Sequence, residues 1–95
     1  MRVRYTPQAF ADRQQIFEYL RQRSPGGARN VMASIRAAVA QLRDHPYSGY
    51  ATDDPDIRVK FVIRHPYKIF YRVRADVVEI AHIRHTSRRP WVGLR

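Results

Sequence analysis

Basic side chains crowd the second half of this 95-residue chain: Arg58, Lys60, Arg64, Lys68, Arg72 and Arg74, then Arg84, Arg88 and Arg89. Paired strands would bring such charges within several ångströms of one another. Like charges so placed disfavour the fold unless an anion neutralises them. A phosphate backbone or a carboxylate-rich peptide would serve. The alternative is an exposed sheet face over which the stems lie while their heads stay in water. His82 and His85 stand three residues apart, as do Glu79 and His82. On a strand that spacing alternates faces, so neither pair is suited to share a metal ion. RNA cleavage through the 2′-hydroxyl requires a base, a cation for the phosphorane-like charge and a donor to the leaving oxygen. His82 or His85, Arg58 or Arg64, and Tyr71 are the residues of those types, and neighbouring cations would lower a histidine pKa towards that of a useful base. The competing reading of His85 is a structural hydrogen bond to a loop carbonyl. Tyr67, Phe70, Tyr71 and Trp91 offer rings on which bases stack. Tyr71 reads more simply as core, and Phe70 is odd because it shares a face with Lys68 and Arg72. Trp91 either packs the tail onto the sheet or anchors a partner.

The elements that must position these groups are marked by punctuation. Arg2 to Tyr5 alternates as a short strand. Thr6-Pro7 is a helix start, the hydroxyl accepting from free backbone N–H groups and the proline losing nothing at the first position. Residues 7–23 carry Ala9, Phe10, Ile16, Phe17 and Leu20 at helical spacing. Ser24-Pro25 repeats the device. Ala28, Val31, Met32, Ile35, Ala38, Val39 and Leu42 then form a continuous face over 25–43. Gly26 and Gly27 are poor helix formers and argue for a late start. Residues 44–56, with two prolines, one glycine and four aspartates, read as a loop in which Tyr47 and Tyr50 are local packing groups. From Ile57 the period is two: Ile57, Val59, Phe61 and Ile63 predict the buried side of a strand, and Arg58, Lys60, Val62 and Arg64 its basic outer side. A turn at His65-Pro66-Tyr67, a strand over 68–74, a turn at Ala75-Asp76 and a strand over 77–83 complete an antiparallel meander.

Composition bounds the rest. Ninety-five residues make one domain, 1–95. Eighteen Lys and Arg against eight Asp and Glu give a net charge of +10, which favours an anionic partner. No cysteine is present, so disulfides, a thiol nucleophile and thiolate-held metals are excluded. Glycine-rich phosphate loops, nucleophile elbows and paired carboxylates are absent, and no metal or cofactor is expected. No apolar run approaches a membrane span and the first residues lack a signal-peptide block, so the expectation is a cytoplasmic protein with no membrane association. The fold expected is α+β: a short N-terminal strand and an antiparallel helix hairpin on one face of a small, mainly antiparallel sheet ending in a three-strand meander. The other face would gather the arginines and lysines.

Four pieces of the chain together resemble the RelE/ParE superfamily of bacterial type II toxins, nearer the ParE-like branch. They are Tyr5-Thr6-Pro7 with the helix through Ile16 and Tyr19; Ile35 and Leu42 with His45-Pro46 and Gly49; Arg58-Val59-Lys60-Phe61 with Tyr67-Lys68-Ile69-Phe70-Tyr71-Arg72-Val73; and Val78-Glu79-Ile80 leading to Ile83-Arg84-His85, Arg88 and Pro90-Trp91. The resemblance implies a small microbial-ribonuclease-like α+β fold. ParE-like members inhibit DNA gyrase, whereas RelE-like members cut messenger RNA in the ribosomal A site. Members of both kinds are neutralised by an antitoxin whose C-terminal segment wraps the toxin and whose N-terminal region binds operator DNA. Arg58 matches a strand arginine that supports phosphate chemistry in the nuclease branch, while His85 and Arg88 match the ParE-like ending. RelE-type nucleases keep a tyrosine near the C-terminus, and this chain has none beyond Tyr71. The expectation is a gyrase-directed toxin of a plasmid-stabilisation kind, in a heterotetramer or larger complex with its antitoxin. Its partner-binding set is Arg58, Lys60, Arg64, Lys68, Arg72, Arg84, His85, Arg88, Arg89 and Trp91. The alternatives are a metal-independent, ribosome-dependent endoribonuclease and a non-toxic basic binding module.

Overall fold

Two hydroxyls set the helical half of the molecule. In the computed structural model, which describes residues 1–87, Thr6 is extended and its Oγ1 accepts from the N–H of Ala9 at 3.0 Å, with Pro7 in the first turn. Helix α1 (Pro7–Arg23) closes when the N–H of Ser24 donates to the Leu20 carbonyl at 2.8 Å. The same Ser24 opens α2 (Pro25–Asp44), its Oγ accepting from the N–H of Gly27 at 3.1 Å. A Cβ on Gly27 would sit 3.0 Å from that Oγ, so glycine lets the cap close. The helix therefore begins at Pro25 and not late: the cap satisfies an end N–H that glycine's low propensity alone would leave frayed. Ala28, Val31, Ile35, Ala38, Val39 and Leu42 are buried along one face of α2, with Met32 packed beside them. In α1 only Ala9 is fully buried, and Ile16 and Leu20 pack against the core. Phe10 is half exposed under the Arg13 guanidinium, so the core stripe runs through Ala9, Ile16 and Leu20 and omits Phe10.

The sheet comprises β1 (Arg2–Tyr5), β2 (Tyr50–Ala51), β3 (Arg58–Phe61), β4 (Tyr67–Arg74) and β5 (Val77–His85), in the order β1-β5-β4-β3-β2. β1 runs parallel to β5, and the helix hairpin carries the chain from β1 at one edge of the sheet to β2 at the other; all other pairs are antiparallel. β2 is a fifth strand inside the expected loop, with Tyr50 opposite Val59. Phe70 pairs with His82 and Tyr71 with Ile80, which leaves Ala81 as a bulge residue. Beyond Ile80, β1 no longer covers β5, and α1 does so instead. The hydroxyl of Thr6 donates to the Ala81 carbonyl at 3.0 Å, and Asp12 Oδ2 accepts from the N–H of Ile83 at 3.0 Å and lies 3.2 Å from His82 Nδ1.

Two apolar clusters divide the sheet. On the helix side Val62, Tyr67, Ile69, Tyr71, Val78, Ile80 and Ile83 meet α2. On the other side Ile57, Val59 and Phe70 form a smaller cluster. Opposed residues of antiparallel strands share a face. Arg58 opposes Tyr71 and Lys60 opposes Ile69, so both cations lie on the helix side; Phe61 opposes Lys68, and Lys68 opposes Arg84, on the far side. The expected outer basic face of 57–64 is therefore reversed. Ile57 and Val59 are buried as predicted, but against Phe70, because Val59 pairs directly with it. The alternation also stops early: β3 ends at Phe61, Val62 turns into the main core, Ile63 is 67% exposed and Arg64 takes a left-handed φ of 71°. The cations thus divide between both faces instead of collecting on one. No helix of the described residues is long and apolar enough to cross a membrane.

Candidate partner interface

Gly49 is the point to which two of the sequence-predicted site residues converge. Its buried N–H donates to Tyr71 Oη at 2.9 Å, and its carbonyl accepts from Arg58 Nη2 at 2.7 Å. The same Nη2 donates to the Tyr47 carbonyl at 3.1 Å. A Cβ at Gly49 would lie 2.5 Å from Tyr71 Oη and 2.7 Å from the Val59 carbonyl oxygen, so only glycine fits between the strand and the ring. Lys60 Nζ lies 3.4 Å from Ser48 Oγ in the same loop. Arg58, Tyr71 and Lys60 therefore fasten the segment between α2 and β2 to the sheet. Tyr47 and Tyr50, expected to pack locally, are 65% and 67% exposed on that fastened segment. The Tyr50 ring meets Phe61 edge-on at 6.0 Å.

The candidate nuclease residues do not gather. Arg58 and Tyr71 are register neighbours, but the Tyr71 ring is fully buried and its oxygen is engaged by Gly49. His82 lies on the opposite sheet face, across from Phe70, and is held by Asp12. His85 sits at the far end of β5, its ring edge-on to Tyr67 at 5.4 Å, and its Nδ1 accepts from the N–H of Ser87 at 3.1 Å. The bond expected of His85 was to a loop carbonyl; here its ring nitrogen accepts from a backbone N–H instead. Burial, and then the neighbouring Tyr19, raise the Tyr67 phenol above its ordinary pKa, which keeps it protonated at neutral pH. Arg64 is exposed on the β3–β4 turn, away from the Arg58–Tyr71 pair.

The remaining cations differ in how far the chain neutralises them. Glu79 on β5 takes Arg72 Nε at 2.6 Å and Arg4 Nη2 at 2.7 Å. The Arg4 hydrogen bond, joined by that of Arg72 and opposed by burial, holds the Glu79 carboxyl below its usual pKa. Lys68 is buried, with Nζ 5.5 Å from the Phe70 ring. Asp53, Asp54 and Asp56 pair with no lysine or arginine among the described residues; Asp54 Oδ1 instead accepts from the N–H of Asp56 at 2.9 Å. Arg88, Arg89 and Trp91 lie outside the described residues.

One groove joins the two layers. A cavity of about 250 Å³ is lined by Ser34, Ala37, Ala38 and Gln41 of α2 and by Phe61, Ile63 and Arg64 at the end of β3. Small residues on the helix leave the space; Ile63, past the end of β3, is exposed beside it, while the Phe61 ring lies against Tyr50 on the far face. The period-two pattern had assigned both to the interior, so the signal for an exposed apolar rim lay only in Arg64 and the turn that follows it.

A family model described as the ParE toxin of type II toxin-antitoxin system, parDE, matches residues 3–90. No curated protein matches the chain. Among solved structures, a chain of the chromosomal ParDE toxin–antitoxin system from P. aeruginosa is similar, with a TM-score of 0.80 at 23% identity over 90% of this chain and 95% of that one. At that identity the likeness establishes the fold.

Proposed function

The chain belongs to the ParE toxin family of type II toxin–antitoxin systems, and from that premise we propose that it arrests growth by binding DNA gyrase and is held inactive by a cognate antitoxin. The observation that favours binding over RNA cleavage is the dispersal of the acid–base candidates. Tyr71 is buried, His82 lies across the sheet from it, and His85 is turned to Ser87 and Tyr67. A 2′-hydroxyl cleavage centre needs a base and a donor about one phosphate apart, and such a pair is not formed by these residues. The exposed apolar and aromatic side chains near Arg64 and Lys60 suit recognition of a protein surface.

The antitoxin's covering segment is acidic and amphipathic in this reading. Its apolar side lies in the α2 groove over Ile63, and its carboxylates meet Arg64 and Lys60. Arg58 and Arg72 act chiefly through the loop and the Glu79 bridge, and Lys68, Arg84, His85, Arg88, Arg89 and Trp91 complete the contact surface with target or antitoxin. Toxin and antitoxin form a heterotetramer or larger complex in the cytoplasm, and operator DNA is reached only through the antitoxin. The test is a supercoiling assay with purified gyrase, with and without antitoxin. Inhibition relieved by antitoxin is expected. Uninhibited supercoiling, together with A-site cleavage of ribosome-bound message, would overturn the proposal in favour of the nuclease.

A further inference from the structure

A second cavity, of about 300 Å³, opens where the segment before β3 meets the end of β4, and its wall includes Tyr47, Asp56, Arg58, Arg72 and Arg74. Three arginines and one aspartate thus line it. Neither Arg58 nor Arg74 has a carboxylate partner among the described residues. Arg72 shares Glu79 with Arg4, so that single negative charge serves two cations. One side of the wall is also fixed before any ligand arrives. Arg58 is fixed by the carbonyls of Tyr47 and Gly49, its Nε is buried with no acceptor, and its guanidinium lies 5.7 Å from the centre of the Tyr47 ring.

Size and chemistry narrow the ligand. A carboxylate or an inorganic phosphate occupies the space of only a few waters, at about 30 Å³ each, and would leave most of the cavity and the exposed Tyr47 ring unused. Arginine forks match phosphate oxygens, and an exposed aromatic ring beside an arginine is a platform for a base. A cavity near 300 Å³ is at the lower end of those that hold small organic ligands. We propose that this pocket binds one nucleotide unit, with its phosphate on Arg72 and Arg74 and its base against Tyr47. The unit is either a free nucleotide or one residue of a single strand. The proposal stands apart from the gyrase reading, since it concerns a different surface and a different ligand.

The test is equilibrium binding of the full-length protein to ATP, to a fluorescein-labelled eight-nucleotide DNA strand and to inorganic phosphate, at one fixed salt concentration. Phosphate is expected to bind at least about tenfold more weakly than ATP or the strand. Tyr47→Ala and Arg74→Ala should each weaken nucleotide binding about tenfold. Both side chains are exposed, so both variants should melt like the parent. Asp56→Asn should tighten binding by removing the one opposing charge. Saturable binding of ATP identifies the free nucleotide as the source, while strand binding without ATP binding, lost in the same two variants, identifies the strand. Strand binding that survives both variants reflects the diffuse charge of the surface and overturns the proposal. So does phosphate binding equal to that of ATP, or the absence of binding by either nucleotide probe.

Discussion

The two sides of the sheet are finished in different ways. Past Ile80 the edge of β5 is closed by a carboxylate: Asp12 reaches down from α1 to the N–H of Ile83 and the ring of His82. At the other side Arg58 and Tyr71 tie a loop to the strands through Gly49, and the rings of Tyr47, Tyr50 and Phe61 remain in solvent. The first arrangement satisfies a strand edge with the chain's own helix and leaves little to recognise. The second uses buried polar bonds to hold an exposed apolar border in place. A rigid border loses less conformational entropy when a partner covers it, so the same protein has one sealed side and one prepared for association.

The largest test of this contrast is Gly49→Ala. The new methyl group would collide with the Val59 carbonyl, which is backbone and cannot rotate away, and the expected loss is about 3 kcal/mol in a denaturant melt. A melt unchanged from the parent would mean that the loop is not fastened as described. Asp12→Ala comes next. It strips two partners at the sealed side and should cost about 1–3 kcal/mol, while leaving antitoxin affinity close to that of the parent once folded.

The Glu79 bridge gives a pH effect of smaller size. A carboxyl whose folded pKa is lowered contributes stability that is present above its unfolded value near 4.5 and is lost as pH falls through the folded value. The melting temperature should therefore fall below about pH 4.5, and Glu79→Gln should flatten that fall while lowering the melting temperature at pH 7. Equal acid slopes for parent and variant would remove Glu79 from the acid response. The smallest effect on stability belongs to Ile63→Ser, which should shift the melt by no more than about 0.5 kcal/mol because the side chain is largely solvated. Its effect on antitoxin binding should be about tenfold or more. If affinity is unchanged, the apolar border is not where the antitoxin rests.

The helical half was legible because its signals are local. Thr6, Pro7, Ser24 and Pro25 cap within three residues, and the α2 stripe repeats at helical spacing. The three-strand meander was legible for the same reason. The face of β3 was not. Alternation states that Ile57 and Val59 share a buried side, but which side depends on Phe70 in the next strand. The odd placement of Phe70 beside Lys68 and Arg72 was the visible trace of that second cluster. Neither clamp is written in a spacing: Asp12 and His82 are 70 residues apart, and Arg58 meets carbonyls that any sequence at 47 and 49 would present. Arg58 and Tyr71 were singled out for chemistry, yet both are engaged in anchoring, because a strand pattern shows neither a buried glycine N–H nor the loop that carries it.

The parallel pairing of β1 with β5 also sets a timetable for synthesis. Arg4 must wait for Glu79, which follows it by 75 residues, before the first strand gains a neighbour. At about 5–20 residues per second on the ribosome, that interval lasts several seconds. The nascent chain therefore carries an orphan leading strand while both helices and β2 to β4 are made, and the five-stranded sheet closes only once β5 has emerged. The order of strands is itself a delay between making the first strand and completing the sheet.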